Sequence, residues 1–191
     1  MIRGIIFDCY GVLVHGSLQY LRSITPDEQR RALDDLVRAS DRGYVSRAEY
    51  IRQVSRLTSR TTGEVDEAIH SQEMRSVEAI RFATSLHDHY KTALLSNVGR
   101  GAIRRSFEPD ELKTLFDAVI LSSEVGMTKP DIEIYMYAAS QLGLKPDECV
   151  MVDDTRSNVE GAEMAGMHGV VFTDVRQCQE AIGALLRESH A

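Results

Sequence analysis

Asp8 follows the apolar run Ile5-Ile6-Phe7 directly and stands three residues before Gly11. A carboxylate where a buried run stops and the chain turns can attack an electrophile, ligate a cation or cap a helix. Asp153 and Asp154 follow a second apolar run, residues 149–152. Two adjacent carboxylates repel unless a cation or strong donors lie between them. With Asp8 they offer the hard oxygen ligands that Mg2+ takes, waters and a substrate phosphate completing the octahedron. Asn158 is of the right type to orient a carboxylate or a bound water from behind. Ser96 and Asn97, after Leu94-Leu95, bring a hydroxyl and an amide to a strand end where backbone N–H groups also meet an anion. Lys129 lies in Gly126-Met127-Thr128-Lys129-Pro130 just before a predicted helix, and Pro130 holds its backbone out of that helix. A fixed ammonium there neutralises a phosphate or the crowd of acids. Each segment by itself also reads as an ordinary turn, cap or solvated side chain. All four at the edge of one sheet make a single candidate site.

The elements must deliver that convergence. Five short apolar runs, 4–7, 92–96, 118–122, 149–152 and 170–173, alternate with longer amphipathic stretches. This is the pattern of a doubly wound α/β fold, a parallel sheet with helical crossovers. Ligands of such sheets bind beyond the carboxyl ends of the strands, where Asp8, Ser96, Asn97, Asp153 and Asp154 fall. The interval between the first two strands is far longer than a crossover and is patterned as several helices, so an α-helical insertion is expected. Thr25 with Glu28, Ser46 with Glu49 and Thr61 with Glu64 have the spacing of capping boxes, and Pro26 takes the first helical position of the first. Leu33, Leu36 and Val37 form one apolar stripe; Tyr50, Ile51, Val54 and Leu57 form another. A helix over 77–87 returns the chain to the sheet. Further helices are expected over 130–142, with Tyr135, Met136, Ala139 and Leu142 on one side and Gly143 as its stop, and over 176–187. Met127, Met136, Met151, Met164 and Met167 read as fillers of core and loop gaps.

Composition narrows the function classes. The 191 residues carry 22 Lys and Arg against 29 Asp and Glu, a formal charge of −7, so a polyanion such as nucleic acid is a poor partner, whereas a small phosphorylated metabolite needs only a few local donors. No apolar run approaches the roughly 18 residues of a membrane-spanning helix. The start has the layout of neither a secretory signal nor a transit peptide, which makes the cytoplasm the default. Cys9, Cys149 and Cys178 form no paired or zinc spacing and read as reduced thiols.

In order and spacing, residues 7–13, 94–97, 126–130 and 152–162 resemble the four motifs of the haloacid dehalogenase superfamily: a nucleophilic Asp, a Ser or Thr, a Lys and an acidic pair. The resemblance spans nearly the whole chain. It implies a core domain of residues 1–14 and 77–191, and an inserted helical cap of residues 15–76. It implies covalent catalysis by Asp8, magnesium held by Asp8, the Tyr10 carbonyl and the Asp153 and Asp154 loop, and a phosphoryl group held by Ser96, Asn97 and Lys129. Tyr10 stands where phosphatases of the superfamily carry a second Asp as general acid and base, and a phenol is a poor base at neutral pH. Tyr at this position resembles the metal-free 2-haloacid dehalogenase branch; the acidic pair followed by Asn158, Gly161 and Ala162 resembles the metal-dependent phosphatases. The phosphatase reading carries more weight because adjacent carboxylates need a positive physical reason. A dehalogenase-like hydrolase and a noncatalytic phospho-ligand or partner-binding protein are the alternatives. His15 is a candidate substitute acid-base against a solvated hinge residue. The Cys9 side chain, on a strand, points away from Asp8 as a buried thiol. Arg22, Arg42 and Arg47 are candidate contacts to an anionic substrate, each weighed against a solvated surface role.

Overall fold

The computed structural model describes residues 1–189. In chain order it has β1 (Gly4–Phe7), α1 (Leu18–Ile24), α2 (Arg30–Asp41), α3 (Arg47–Thr58), α4 (Thr62–Gln72), α5 (Val77–His87), β2 (Lys91–Ser96), α6 (Pro109–Leu115), β3 (Ala118–Leu121), α7 (Ser122–Val125), α8 (Ile132–Gln141), β4 (Cys149–Asp153), α9 (Arg156–Met164), β5 (His168–Val171) and α10 (Val175–Ser189). The strands form one parallel sheet in the order β3-β2-β1-β4-β5.

β1 and β4 are buried along their whole length, as the central strands of a sheet covered on both faces must be. Alternation along the strands divides the core. Ile5, Phe7, Leu94, Val150 and Val152 face one apolar layer with Ala79, Ala83, Cys178 and Ile182 of α5 and α10. Ile6, Ala93, Leu95 and Met151 face the other, with Ile134, Tyr135, Ala138 and Ala139 of α8 and Ala162 of α9. The chain winds outward from β1 through β2 to β3, then starts again at β4 on the other side of β1. A crevice therefore opens at the carboxyl ends of β1 and β4, and Asp8 and Asp153 stand at those ends.

Helices α1–α4 lie between β1 and α5 and bury their own cluster of Leu21, Leu33, Leu36, Val54, Val65 and Ile69. The two passages into this helical insertion pair with each other. His15 N donates to Met74 O at 2.8 Å, Ser76 N donates to Leu13 O at 2.8 Å, and Val14 bridges Arg75. Among the described residues, no helix is long and apolar enough to cross a membrane.

The structure corrects several local expectations. Thr25 is not a helix start. It ends α1, which the spacing did not predict, and its buried hydroxyl donates to Leu21 O at 2.7 Å; Pro26 then leads into a single 3-10 turn before α2 begins at Arg30. Ser46 caps α3, but Glu49 binds Arg52 and Gln53 instead of reaching back. Only Thr61 and Glu64, of the three pairs, close a reciprocal capping box. β5 starts at His168, two residues before the apolar run, and Gly169 lets it pass close beneath α9, where a Cβ would lie 2.5 Å from Val159. α8 begins at Ile132 with Asp131 as its N-cap and buries Ile134 and Ala138 together with Tyr135 and Ala139. Met136 is 55% exposed and Met164 75% exposed, so neither fills a gap, unlike the buried Met151 and Met167.

Candidate active site

Asp8 leaves β1 with its amide still in the sheet, donating to Val152 O at 2.9 Å. Its Oδ1 accepts from Cys9 N at 2.7 Å and from Lys129 Nζ at 2.8 Å. The same ammonium donates to Asp153 Oδ2 at 2.6 Å. Lys129 is 4% exposed, Asp8 6% and Asp153 0%, so one cation bridges two carboxylates out of contact with water. Burial opposes the charge on Lys129, but Asp8 and Asp153 outweigh it and raise its pKa. Burial drives the Asp8 carboxyl upward, with Lys129 pulling the other way and Asp153 adding to the rise.

Neighbours fix each member of this group. Asn158 Nδ2 donates to both oxygens of Asp153, at 3.0 and 3.1 Å, and Thr155 N donates to Oδ1 at 2.8 Å. Asn97 Oδ1 accepts from Lys129 N at 2.9 Å and its Nδ2 donates to Lys129 O at 2.8 Å. Pro130 after the lysine backs onto α9 at Gly161, where a Cβ would lie 2.5 Å from Pro130 O. Ser96 Oγ is buried at the end of β2 with no hydrogen-bond partner among the described residues.

Asp154 is more open than Asp153, and burial followed by the Asp153 charge raises its pKa. Its carboxylate presses against the backbone of Gly11, whose φ of +99° and missing Cβ leave the room. Oxygens of Asp8, Asp153 and Asp154 all lie within 4.8 Å of one another. Three carboxylates served by one ammonium leave a net negative pocket of hard oxygen donors, a set that fits Mg2+.

A cavity of about 180 Å³ lies between this edge and the helical insertion, lined in part by Tyr10, Asn97, Gly99 and Arg100 from the sheet side and by Asp41, Arg47, Tyr50 and Glu73 from the insertion. The Tyr10 hydroxyl is buried, with the buried Ser106 hydroxyl as its polar neighbour. Burial, reinforced by Cys9 and Glu73, pushes its pKa far above the ordinary phenol range, so it stays protonated. Cys9 is a buried thiol, as expected, with a pKa raised by burial and then by Asp8; it lies not on the strand but in the bend past the end of β1, where its amide holds Asp8. His15 is exposed at the entry to the insertion and does not line the cavity. Arg22 pairs with Asp34 and Arg42 with Asp131; Arg47, paired with Asp66, is the one of the three that lines the cavity. Sequence reasoning missed Asp41, Tyr50, Glu73 and Arg100. Asp41 did carry a signal, being an acid at the C-terminal end of a helix, where the dipole disfavours it.

Residues 2–166 match the haloacid dehalogenase-like hydrolase family. The chain belongs to that family. A curated relative, human N-acylneuraminate-9-phosphatase, is 32% identical over 103 residues, which are 53% of this chain and 42% of that protein. The chain thus spans less than half the length of that relative. Among solved structures, a predicted HAD-like hydrolase from Porphyromonas gingivalis has a TM-score of 0.78 at 29% identity, covering 98% of both chains. A HAD family enzyme from Bacteroides thetaiotaomicron, in complex with magnesium and inorganic phosphate, has a TM-score of 0.74 at 20% identity, covering 91% of this chain and 95% of that one. L-2-haloacid dehalogenase from Xanthobacter autotrophicus has a TM-score of 0.63 at 18% identity, covering 96% and 83%. At 20% and 18% identity, these last two likenesses speak to the fold alone.

Proposed function

We propose that this hydrolase is a magnesium-dependent phosphatase that cleaves a small organic phosphate ester through an aspartyl-phosphate at Asp8. One observation carries the reading: three carboxylates, Asp8, Asp153 and Asp154, converge within 4.8 Å around a single buried ammonium. A phosphoryl group and a divalent cation supply the charges that such a pocket needs, whereas displacement of halide from carbon makes no such demand. A phosphatase among the relatives adds support.

In this reading Asp8 attacks phosphorus through the carboxylate oxygen that Lys129 and Cys9 do not hold. Lys129 favours the ionised form of Asp8 against its burial and neutralises the phosphoryl oxygens. Ser96 donates its unpartnered hydroxyl to the phosphoryl group. Asn97 sets the position of Lys129 and borders the substrate. Asp8, the Tyr10 carbonyl, Asp153 and Asp154 hold the metal; both Asp153 oxygens already carry protein donors, so Asp154 and Asp8 offer the freer lone pairs. Asn158 orients Asp153. Magnesium, when bound, offsets the charge on the phosphoryl oxygens. Residues 15–76 act as a cap over the core formed by residues 1–14 and 77–191, and the substrate is a small phosphorylated metabolite taken up in the cavity between them.

The test is hydrolysis of 4-nitrophenyl phosphate with magnesium and with EDTA. Turnover that requires magnesium and disappears in Asp8→Asn is expected, and a gain in Tyr10→Asp marks Tyr10 as limiting the rate. Inert wild type and Tyr10→Asp would sink the reading. Metal-independent halide release from a 2-haloacid would then establish the dehalogenase chemistry, and magnesium or phosphate binding without turnover a binding role.

A further inference from the structure

Cleavage of an alkyl phosphate needs a proton for the departing oxygen, and in this reading the groups at the strand ends are taken up as nucleophile, metal ligands, ion-pair partners or phosphoryl donors. Lys129 is committed to Asp8 and Asp153, Asp8 is the nucleophile, and the Tyr10 phenol is buried with its acidity suppressed. The insertion supplies a carboxyl instead. We propose that Asp41, the last residue of α2, donates the proton to the leaving-group oxygen and then accepts one from the attacking water; this rests on the phosphatase reading above.

The end of α2 is seated on the catalytic edge by three contacts. Ser122 Oγ, after β3, donates to Asp41 O at 2.6 Å and accepts from Val98 N at 2.9 Å, tying the helix terminus to the loop after β2 that carries Asn97. Gly99 admits Ser40 so closely that any Cβ there would overlap its hydroxyl. Gly43, just past the helix, lies so close to Ser123 that a Cβ would sit 2.6 Å from its carbonyl oxygen. Insertion and sheet are thus joined at this point by close packing, which holds the end of α2 against the catalytic edge.

The Asp41 carboxylate lines the cavity with Tyr10 and Asn97. It makes no ion pair or hydrogen bond among the described residues, whereas Asp34, Asp35 and Asp66 of the same insertion are held by Arg22, Arg38 and the Arg47 and Arg105 pair. Around it stand Tyr50 and Arg47 of α3, Glu73 past α4, Tyr10 and Arg100 of the sheet side, and the Arg42–Asp131 pair; Lys129 is the cation that acts on it. Glu124 on α7 is exposed. Burial pushes the Asp41 pKa up to about 6 against the pull of Lys129, a range suited to giving and taking a proton near neutrality.

The step balances. As an Asp8 oxygen bonds to phosphorus, the bond from phosphorus to the leaving oxygen breaks, and the Asp41 proton passes to that oxygen, releasing an alcohol and leaving a carboxylate. That carboxylate takes a proton from water as the water oxygen bonds to phosphorus and the bond from phosphorus to the Asp8 oxygen breaks, which frees inorganic phosphate, returns Asp8 as a carboxylate and restores the proton on Asp41.

The experiment compares wild type, Asp41→Asn, Asp41→Glu and Glu73→Gln on 4-nitrophenyl, phenyl and benzyl phosphate, in order of increasingly basic leaving group. Asp41→Asn should lose about 10²–10⁴-fold in kcat/KM on benzyl phosphate and less than about tenfold on 4-nitrophenyl phosphate, with its thermal midpoint unchanged. Asp41→Glu should recover part of the loss. The benzyl rate of wild type should fall as pH rises through about 6, and that limb should vanish in Asp41→Asn. Equal losses on all three substrates, no loss, a loss seated in Glu73→Gln instead, or a wild type active on the nitrophenyl ester alone would each overturn the assignment. A wild type inert on all three overturns it through the phosphatase reading itself.

Discussion

Asn97 grips Lys129 by its backbone from both sides, accepting from its amide and donating to its carbonyl. The end of β2 thereby sets where the ammonium from the loop before α8 meets Asp8 and Asp153. A side-chain amide is the group that can do both at once. Asn97→Ala should therefore cost about 1–3 kcal/mol in denaturant unfolding and lower kcat by more than it raises KM. An activity loss confined to KM would mean that Asn97 serves substrate binding and not lysine placement.

Gly161 matters through the same loop. A Cβ there would lie 2.5 Å from Pro130 O and 2.8 Å from Pro130 Cβ, so Gly161→Val should push the Lys129 turn off α9. The expected cost is about 1–3 kcal/mol, with a fall in activity. Gly63→Ala is the control: it is helical and has nothing within 4 Å of its would-be Cβ. It should leave activity alone and stabilise by up to about 1 kcal/mol. Paired thermal unfolding and kinetic assays check both.

At the opposite edge of the sheet, Asp117 accepts from Lys91 Nζ at 2.7 Å and from Thr92 N at 2.9 Å. Partial burial works against its charge, but these bonds outweigh it and hold its pKa below the usual value. A carboxyl depressed in the folded state contributes stability above its unfolded pKa of about 4, and that stability is lost as pH falls through the folded value. Asp117→Asn should cost about 1–3 kcal/mol at pH 7 and progressively less in acid. Urea unfolding at pH 7 and pH 3 measures this, and a cost independent of pH would count against it.

Magnesium should raise the unfolding temperature of the wild type by several degrees, since a ligand at 100 times its Kd adds about 2.7 kcal/mol. Asp154→Ala should abolish the rise. Asn158→Ala, which frees Asp153 from its amide, should weaken the rise without abolishing it. A full rise in Asp154→Ala would place the ion elsewhere.

The sequence by itself determined the sheet, because its strands are short and apolar and end at polar residues, and a strand buried on both faces cannot be written otherwise. It also determined which segments meet: Asp8, Ser96, Lys129 and Asp153 stand at strand ends or just before a helix, and the parallel topology carries those points to one edge. Local signals with a single reading, such as Thr61 with Glu64, survived folding. Those with two readings did not: Thr25 has the spacing of a helix start, yet a buried hydroxyl can equally end a helix by bonding backward to Leu21. Only the tertiary structure decided how far each apolar side chain is buried, which is why Met136 and Met164 are exposed. It alone decided that Asn97 spends its amide on Lys129, that Asp153 is enclosed while Asp154 meets Gly11, and that Asp41 reaches the cavity. Helical periodicity fixes which face of an element is apolar. The partner of each polar group depends on how helices from distant parts of the chain sit on the sheet, and that is settled by packing.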